Sequence, residues 1–175
     1  MDARCSLKML MIWCSGSVIM SAMELREVRL SDGLVGPLLA GLEAEYHHRY
    51  GLNDELSRAH VEEFDPPSGL FLVLVDGEAT AAGGGFRSHR EGVCEVKRMW
   101  TSPEYRRQGL ARRILRALEY AAASAGYVRL VLETGPRQPE AATLYERRGY
   151  TRIPTYGHYP EALAFSTDLK LGAEA

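Results

Sequence analysis

The chain has 175 residues, about one domain, and its 46% hydrophobic content suffices for a single core. A formal net charge of −2 with 25% charged residues leaves no basic footprint, so nucleic acid is excluded as an expected partner. Cys5, Cys14 and Cys94 follow no zinc or CxxC spacing, and their odd number argues against a disulfide framework. Reduced thiols in a cytoplasmic protein are the expectation. The five histidines, His47, His48, His60, His89 and His158, fall in no ligand spacing, so no metal is implied.

Residues 1–23 stand apart. Arg4 and Lys8 precede an apolar stretch that weakly resembles a signal peptide, but Ser15, Gly16 and Ser17 interrupt it. The run is too short to span a membrane, and no membrane partner is expected. Met9, Met11, Met20 and Met23 could each begin a shorter chain. The expectation is a leader over 1–23 outside the fold and one domain over 24–172.

Residues 24–30 (ELREVRL) alternate as a strand. Ser31 or Asp32 can cap a helix running through Leu38, Leu39 and Leu42 towards Tyr46. A second short helix is expected from Asn53 or Asp54 to Phe64, ended by the breaker cluster at 65–69 (DPPSG). Residues 70–75 and 79–87 form a hairpin about Asp76-Gly77. Gly83, Gly84 and Gly85 inside the second strand point to a bulge or a close backbone approach.

Residues 92–101 (GVCEVKRMWT) read as a strand closed by Ser102-Pro103. A long helix follows over 109–125, with Gly126 just past its end. A strand at 128–132, a shorter helix over 139–148 led by Pro139, and strands at 150–153 and 163–171 complete the chain. The order predicts an α/β or mixed α+β sheet with helices packed on its faces.

The densest signal is 99–111 (MWTSPEYRRQGLA), a strand and a basic turn opening an amphipathic helix. A helix start leaves backbone N–H groups unpaired at the positive end of its dipole. Arg106 and Arg107 add charge, Gly109 permits close backbone approach, and Ala111 keeps the next contact small. Such a turn suits a pyrophosphate.

Arg106, Gly109 and Ala111 resemble the R/Q-x-x-G-x-G/A motif with which GNAT acetyltransferases hold the pyrophosphate of coenzyme A. Many members have glycine where this chain has Arg107. Residues 138–150 (QPEAATLYERRGY) resemble the family's N-x-x-A-x-x-L-Y-x-x-x-G-F/Y signature through Ala141, Leu144, Tyr145, Gly149 and Tyr150. Gln138 stands in for the asparagine and retains an amide for the pantetheine arm.

The resemblance implies the GNAT fold, with about seven strands flanked by about four helices. It implies acetyl-CoA as co-substrate, held by Met99, Trp100, Thr101, Arg106, Arg107, Gln108, Gly109, Leu110, Ala111, Arg112, Gln138 and Ala141. The backbone of 99–101 would pair with the pantetheine amides where this strand splays from the next. Glu95 lies eleven residues before Arg106, the offset of the catalytic glutamate in histone-type members, and would be the base. Tyr145 would serve the leaving thiolate.

Tyr46, His47 and Tyr50, together with Tyr156 and His158, fall in regions that line the family's acceptor pocket. Each residue also has a plainer reading: Glu95 as a strand carboxylate paired with Lys97 or Arg98, Tyr145 and Trp100 as core aromatics, and the tyrosine and histidine clusters as surface residues. The implied activity is acetyl transfer to a small-molecule amine. A non-catalytic acyl-CoA-binding regulator and a protein or peptide acetyltransferase are the alternatives. The oligomeric state is open, with a homodimer among the options.

Overall fold

A computed structural model describes residues 23–51 and 60–170. Seven strands form one sheet: β1 (Glu24–Val28), β2 (Leu70–Asp76), β3 (Ala79–Arg90), β4 (Val93–Thr101), β5 (Arg129–Thr134), β6 (Thr151–Ile153) and β7 (Leu163–Asp168). Three α-helices accompany them: α1 (Gly36–Tyr50), α2 (Leu110–Ser124) and α3 (Pro139–Arg147). The spatial order is β1-β2-β3-β4-β5-β7-β6. Every pairing is antiparallel except β4 with β5, which α2 joins by a crossover.

The predicted order of elements holds, with three differences. Among the described residues there are three α-helices rather than about four. Of the expected second helix only the end is described, a single 3-10 turn at Val61–Phe64, and 53–59 lie outside the described residues. The last strand stops at Asp168, short of the expected 171. The helix capped by Asp32 begins as a 3-10 turn, Gly33–Val35, with Leu34 N donating to Asp32 Oδ1 at 2.8 Å.

Each sheet face has its own core. On one, Ile114, Leu115 and Leu118 of α2 and Ala142 and Tyr145 of α3 bury Leu72, Phe86, Cys94, Val96, Leu130, Leu132 and Phe165. On the other, Leu38 and Leu42 of α1 cover Phe71, Val73, Val75 and Trp100. Burial on this scale contributes roughly 1.5–3 kcal/mol for each large aliphatic or aromatic side chain. Residues 1–22 of the expected leader lie outside the described residues. Met23 packs on the α2 side, and its carbonyl accepts from Arg113 at 3.2 Å.

The glycine triplet of β3 serves close approach. Between Gly83↔Trp100 and Gly85↔Lys97, one residue of β3 faces two of β4, so the bulged strand is β4, at Arg98 and Met99. A Cβ on Gly84 would fall 2.6 Å from Met99 Sδ, and one on Gly85 would fall 2.5 Å from the Phe71 ring. Arg98 takes a φ of 58°, and its guanidinium lies 5.0 Å from the Phe64 ring centroid.

Candidate functional site

β4 and β5 pair only from Val93↔Arg129 to Val96↔Leu132. Beyond that point β4 stays with β3 through Thr101↔Ala82, and β5 stays with β7 through Thr134↔Leu163. The two parallel strands therefore part into a V whose walls are free backbone edges. The β4 bulge falls where they separate. Near the far end of β4, the buried Thr101 Oγ1 has no hydrogen-bond partner among the described residues. An unsatisfied buried hydroxyl is costly and marks a place where a ligand can bond.

At the end of this wall lies the basic turn. Gly109 is the N-cap of α2 at φ 78°, a left-handed conformation that glycine adopts without a Cβ penalty, and it supplies no side-chain cap. The first N–H groups of α2 are thus left for an anion. Arg107 is also left-handed, at φ 62°, which costs a non-glycine residue roughly 1–2 kcal/mol. Glycine adopts that conformation without this cost. Arg106 reaches back to Glu45 Oε2 at 3.0 Å. The side chains of Arg106, Arg107, Gln108 and Arg112 are exposed, whereas Leu110 enters the core.

Glu95 sits at the closed end of the V, 3% exposed, on the α1 face of the sheet. Arg87, opposite it on β3, donates through Nε to Glu95 Oε2 at 3.0 Å. Lys97 Nζ lies 3.6 Å from Oε1, and the Tyr156 hydroxyl donates to Oε1 at 3.2 Å. Arg87 also pairs with Glu63. Burial first, and then the charges of Glu95 and Glu133, push the Tyr156 phenol far up, so it stays a donor.

The loop carrying Tyr156 is fastened to β5. The backbone N–H groups of Tyr156 and Gly157 donate to Glu133 Oε1 at 2.9 and 3.0 Å. The His89 and Tyr156 rings meet edge-on, with centroids 4.9 Å apart.

Tyr145 lies on the opposite face, 4% exposed, with its ring 5.5 Å from Phe165 and 5.8 Å from Tyr150. Burial raises its phenol well above the ordinary value and keeps it protonated. Gln138 uses Oε1 to accept from Gly135 N and Thr134 Oγ1, each at 3.1 Å, which closes the β5–α3 loop.

The profile of the acetyltransferase (GNAT) family matches residues 38–150, which contain both motifs and the strands of the V. The chain belongs to the acetyltransferase (GNAT) family. It is 29% identical over 133 residues to an uncharacterised N-acetyltransferase of Schizosaccharomyces pombe, covering 68% of this chain and 78% of that one. A candidate acyl-CoA N-acyltransferase from Klebsiella pneumoniae superposes with a TM-score of 0.71 at 25% identity, covering 86% of this chain and 99% of the other. YncA of Salmonella typhimurium, solved with acetyl-CoA, superposes at 0.65 with 16% identity, covering 89% and 98%. This GNAT protein is an N-acetyltransferase by family.

Within the GNAT site the expected residues divide. Tyr156 meets Glu95, but His158 is exposed, with its ring 5.3 Å from that of Tyr159. Tyr46 is half-buried against the α1 core, and His47 is exposed. Tyr50 OH accepts from Arg137 N at 3.1 Å, so it binds the end of α1 to the β5–α3 loop. The Trp100 side chain is buried under α1, where a Cβ on Gly41 would fall 2.5 Å from its indole nitrogen. The Trp100 backbone is turned to Gly83 of β3, because Ser102 N bonds Ala81 O and hydrogen-bonded pairs alternate along the ladder. Trp100 is therefore not placed to hold a ligand in the V.

Ala141 packs partly buried against the α2 core. Arg87 and Glu133 were not singled out in the sequence. Their alternation with core residues on β3 and β5 places them beside Glu95, but only strand register reveals it. No group of three metal-ligating side chains occurs among the described residues, and none of the described helices is long and apolar enough to cross a membrane.

Proposed function

We propose that this enzyme transfers the acetyl group of acetyl-CoA directly to the primary amine of a small molecule, within the V between β4 and β5. The observation that carries the reading is the loss of β4–β5 pairing after Val96↔Leu132, beside the buried Glu95. The β4 edge facing the V, at Met99 and Thr101, can pair with pantetheine amides as an added strand would, once Arg106 Nε leaves the Thr101 carbonyl. Gln138, its Oε1 spent on its own loop, offers Nε2 to a pantetheine carbonyl. The pyrophosphate rests on the backbone N–H groups of 107–112 with Arg106 alongside, and Ala141 leaves room for the arm. The Salmonella relative's bound acetyl-CoA supports this co-substrate.

The amine attacks as the neutral base. Its nitrogen forms a bond to the acetyl carbon, and the carbon–sulfur bond breaks. Glu95, directly or through water, takes the amine proton, and Tyr145 gives a hydrogen bond or proton to the leaving thiolate. Tyr145 is protonated at neutral pH because burial disfavours its anion. A small acceptor suits a face closed on two sides. Glu133 fastens the Tyr156 loop over Glu95, and Tyr50 fastens α1 to the β5–α3 loop. An extended peptide would have to displace one of these. A cytoplasmic location accords with the buried, unpaired Cys94 thiol.

The test is thiol release from acetyl-CoA with a panel of small primary amines and a panel of peptides. Release with small amines alone is expected. Release with peptides alone would replace the acceptor class. Release with neither, alongside measurable coenzyme A binding, would make the protein an acyl-CoA-binding module.

A further inference from the structure

Outside the V, the C-terminal half of α1 carries a chain of charges. Glu45 is 17% exposed there and lies between two arginines from different elements. Its Oε1 is 2.8 Å from Arg49 Nη2, one helical turn on, and its Oε2 is 3.0 Å from Arg106 Nη2 in the basic turn. Arg49 in turn pairs with Glu140 at the start of α3 and donates to the carbonyl of Arg137. Arg106 is 46% exposed, so a ligand can reach it from solvent.

We propose that Glu45 sets coenzyme A affinity by competing with the ligand's pyrophosphate for Arg106, and so couples cofactor entry to α1. The proposal rests on the reading of the Arg106 turn as the pyrophosphate site. A guanidinium offers a planar fork that matches one anion well at a time. The pyrophosphate carries more charge than a carboxylate and also meets the N-terminus of α2, so it wins Arg106. Glu45 loses little on release, because Arg49 remains 2.8 Å from its other oxygen. The same exchange reaches the acceptor side, since α1 carries Tyr46 and Tyr50 next to Glu45 and Arg49.

Calorimetric titration with coenzyme A tests this in the full chain. Glu45→Gln should bind about 3- to 10-fold tighter, because Arg106 no longer has to leave an ion pair to meet the pyrophosphate. Glu45→Asp, with a shorter reach, should show a smaller gain and serves if the first variant folds poorly. On an Arg106→Ala background the gain should vanish. Glu140→Gln, which removes the carboxylate paired with Arg49 and acts on Arg106 only at longer range, should gain clearly less than Glu45→Gln.

Unchanged or weaker binding by both Glu45 variants overturns the proposal. So does a gain that survives without Arg106, or an equal gain in Glu140→Gln. Wild type without measurable coenzyme A binding overturns the reading of the turn as well. Wild-type binding with no response to Glu45 overturns the proposal alone.

Discussion

The phenol of Tyr156 donates to Glu95 Oε1 at 3.2 Å, joining residues 61 apart in sequence across the face of the sheet. The other groups that meet the buried carboxylate among the described residues are the cations Arg87 and Lys97. With Glu95 as base, Glu95→Gln should lower kcat about 10- to 1,000-fold, with partial rescue at higher pH where more amine is neutral. Tyr156→Phe should keep the fold and lower kcat by less than Glu95→Gln does, because it removes one hydrogen bond to Glu95 Oε1 and leaves Arg87 on Oε2. Steady-state rates from pH 6 to 10 check both. A Glu95→Gln profile identical to wild type would move the base elsewhere, with His158 the next residue to test.

Tyr145→Phe removes one hydroxyl and leaves the contacts with Phe165 and Tyr150 in place. Turnover should fall about 10- to 1,000-fold with little change in acetyl-CoA affinity, as for a contact made in the transition state. Paired kinetics and calorimetry measure the two quantities. Wild-type turnover would leave Tyr145 as a core aromatic alone.

Gly109 is left-handed, and a Cβ there would meet nothing within 4 Å. Space therefore does not forbid a side chain, and conformation and charge can be separated. Asparagine tolerates the left-handed region, so Gly109→Asn should weaken coenzyme A binding by less than about tenfold. Gly109→Asp adds negative charge against the pyrophosphate and should weaken binding at least tenfold beyond that. Equal affinity in the two variants would place the pyrophosphate away from this turn.

Cys94 is wholly buried on the α2 face, and burial pushes its thiol up to about 12 from an ordinary 9.0. A raised value means that the folded state holds its proton after the unfolded chain has released it. The stabilising contribution is full below about pH 9 and is lost as pH rises towards 12. Buried Tyr145, Tyr150 and Tyr156 act in the same sense from about pH 10 upward. Melting temperature should therefore decline between pH 9 and 12, and Cys94→Ala should flatten the first part of that decline. The variant also starts lower, by the roughly 1 kcal/mol per methylene-sized group lost from a core. Parallel curves for the two proteins would show that Cys94 does not contribute.

Local patterning carried most of the element order and both family motifs. Alternation marks β1, the Asp76-Gly77 pair marks the β2–β3 hairpin, and the apolar spacing of Leu110, Ile114, Leu115 and Leu118 marks α2. These are near-neighbour effects, decided within a few residues by backbone sterics and side-chain period. The turn at Arg106–Gly109 is legible for the same reason, since a helix start and adjacent charges are local features.

Relations between distant segments were not legible. The glycine triplet suggests either a bulge or a close approach, and only the register of β3 against β4 puts the bulge at Arg98 and Met99. Tyr50 and Tyr156 share an aromatic character, yet one bonds the Arg137 backbone and the other bonds Glu95. Trp100 shares a strand with residues facing the V, but α1 passes so close at Gly41 that its side chain serves packing. Composition and period set which elements form and where each helix begins. Which side chains meet Glu95, and which arginine Glu45 holds, depends on strand register and helix placement, because these join groups that the chain itself keeps tens of residues apart.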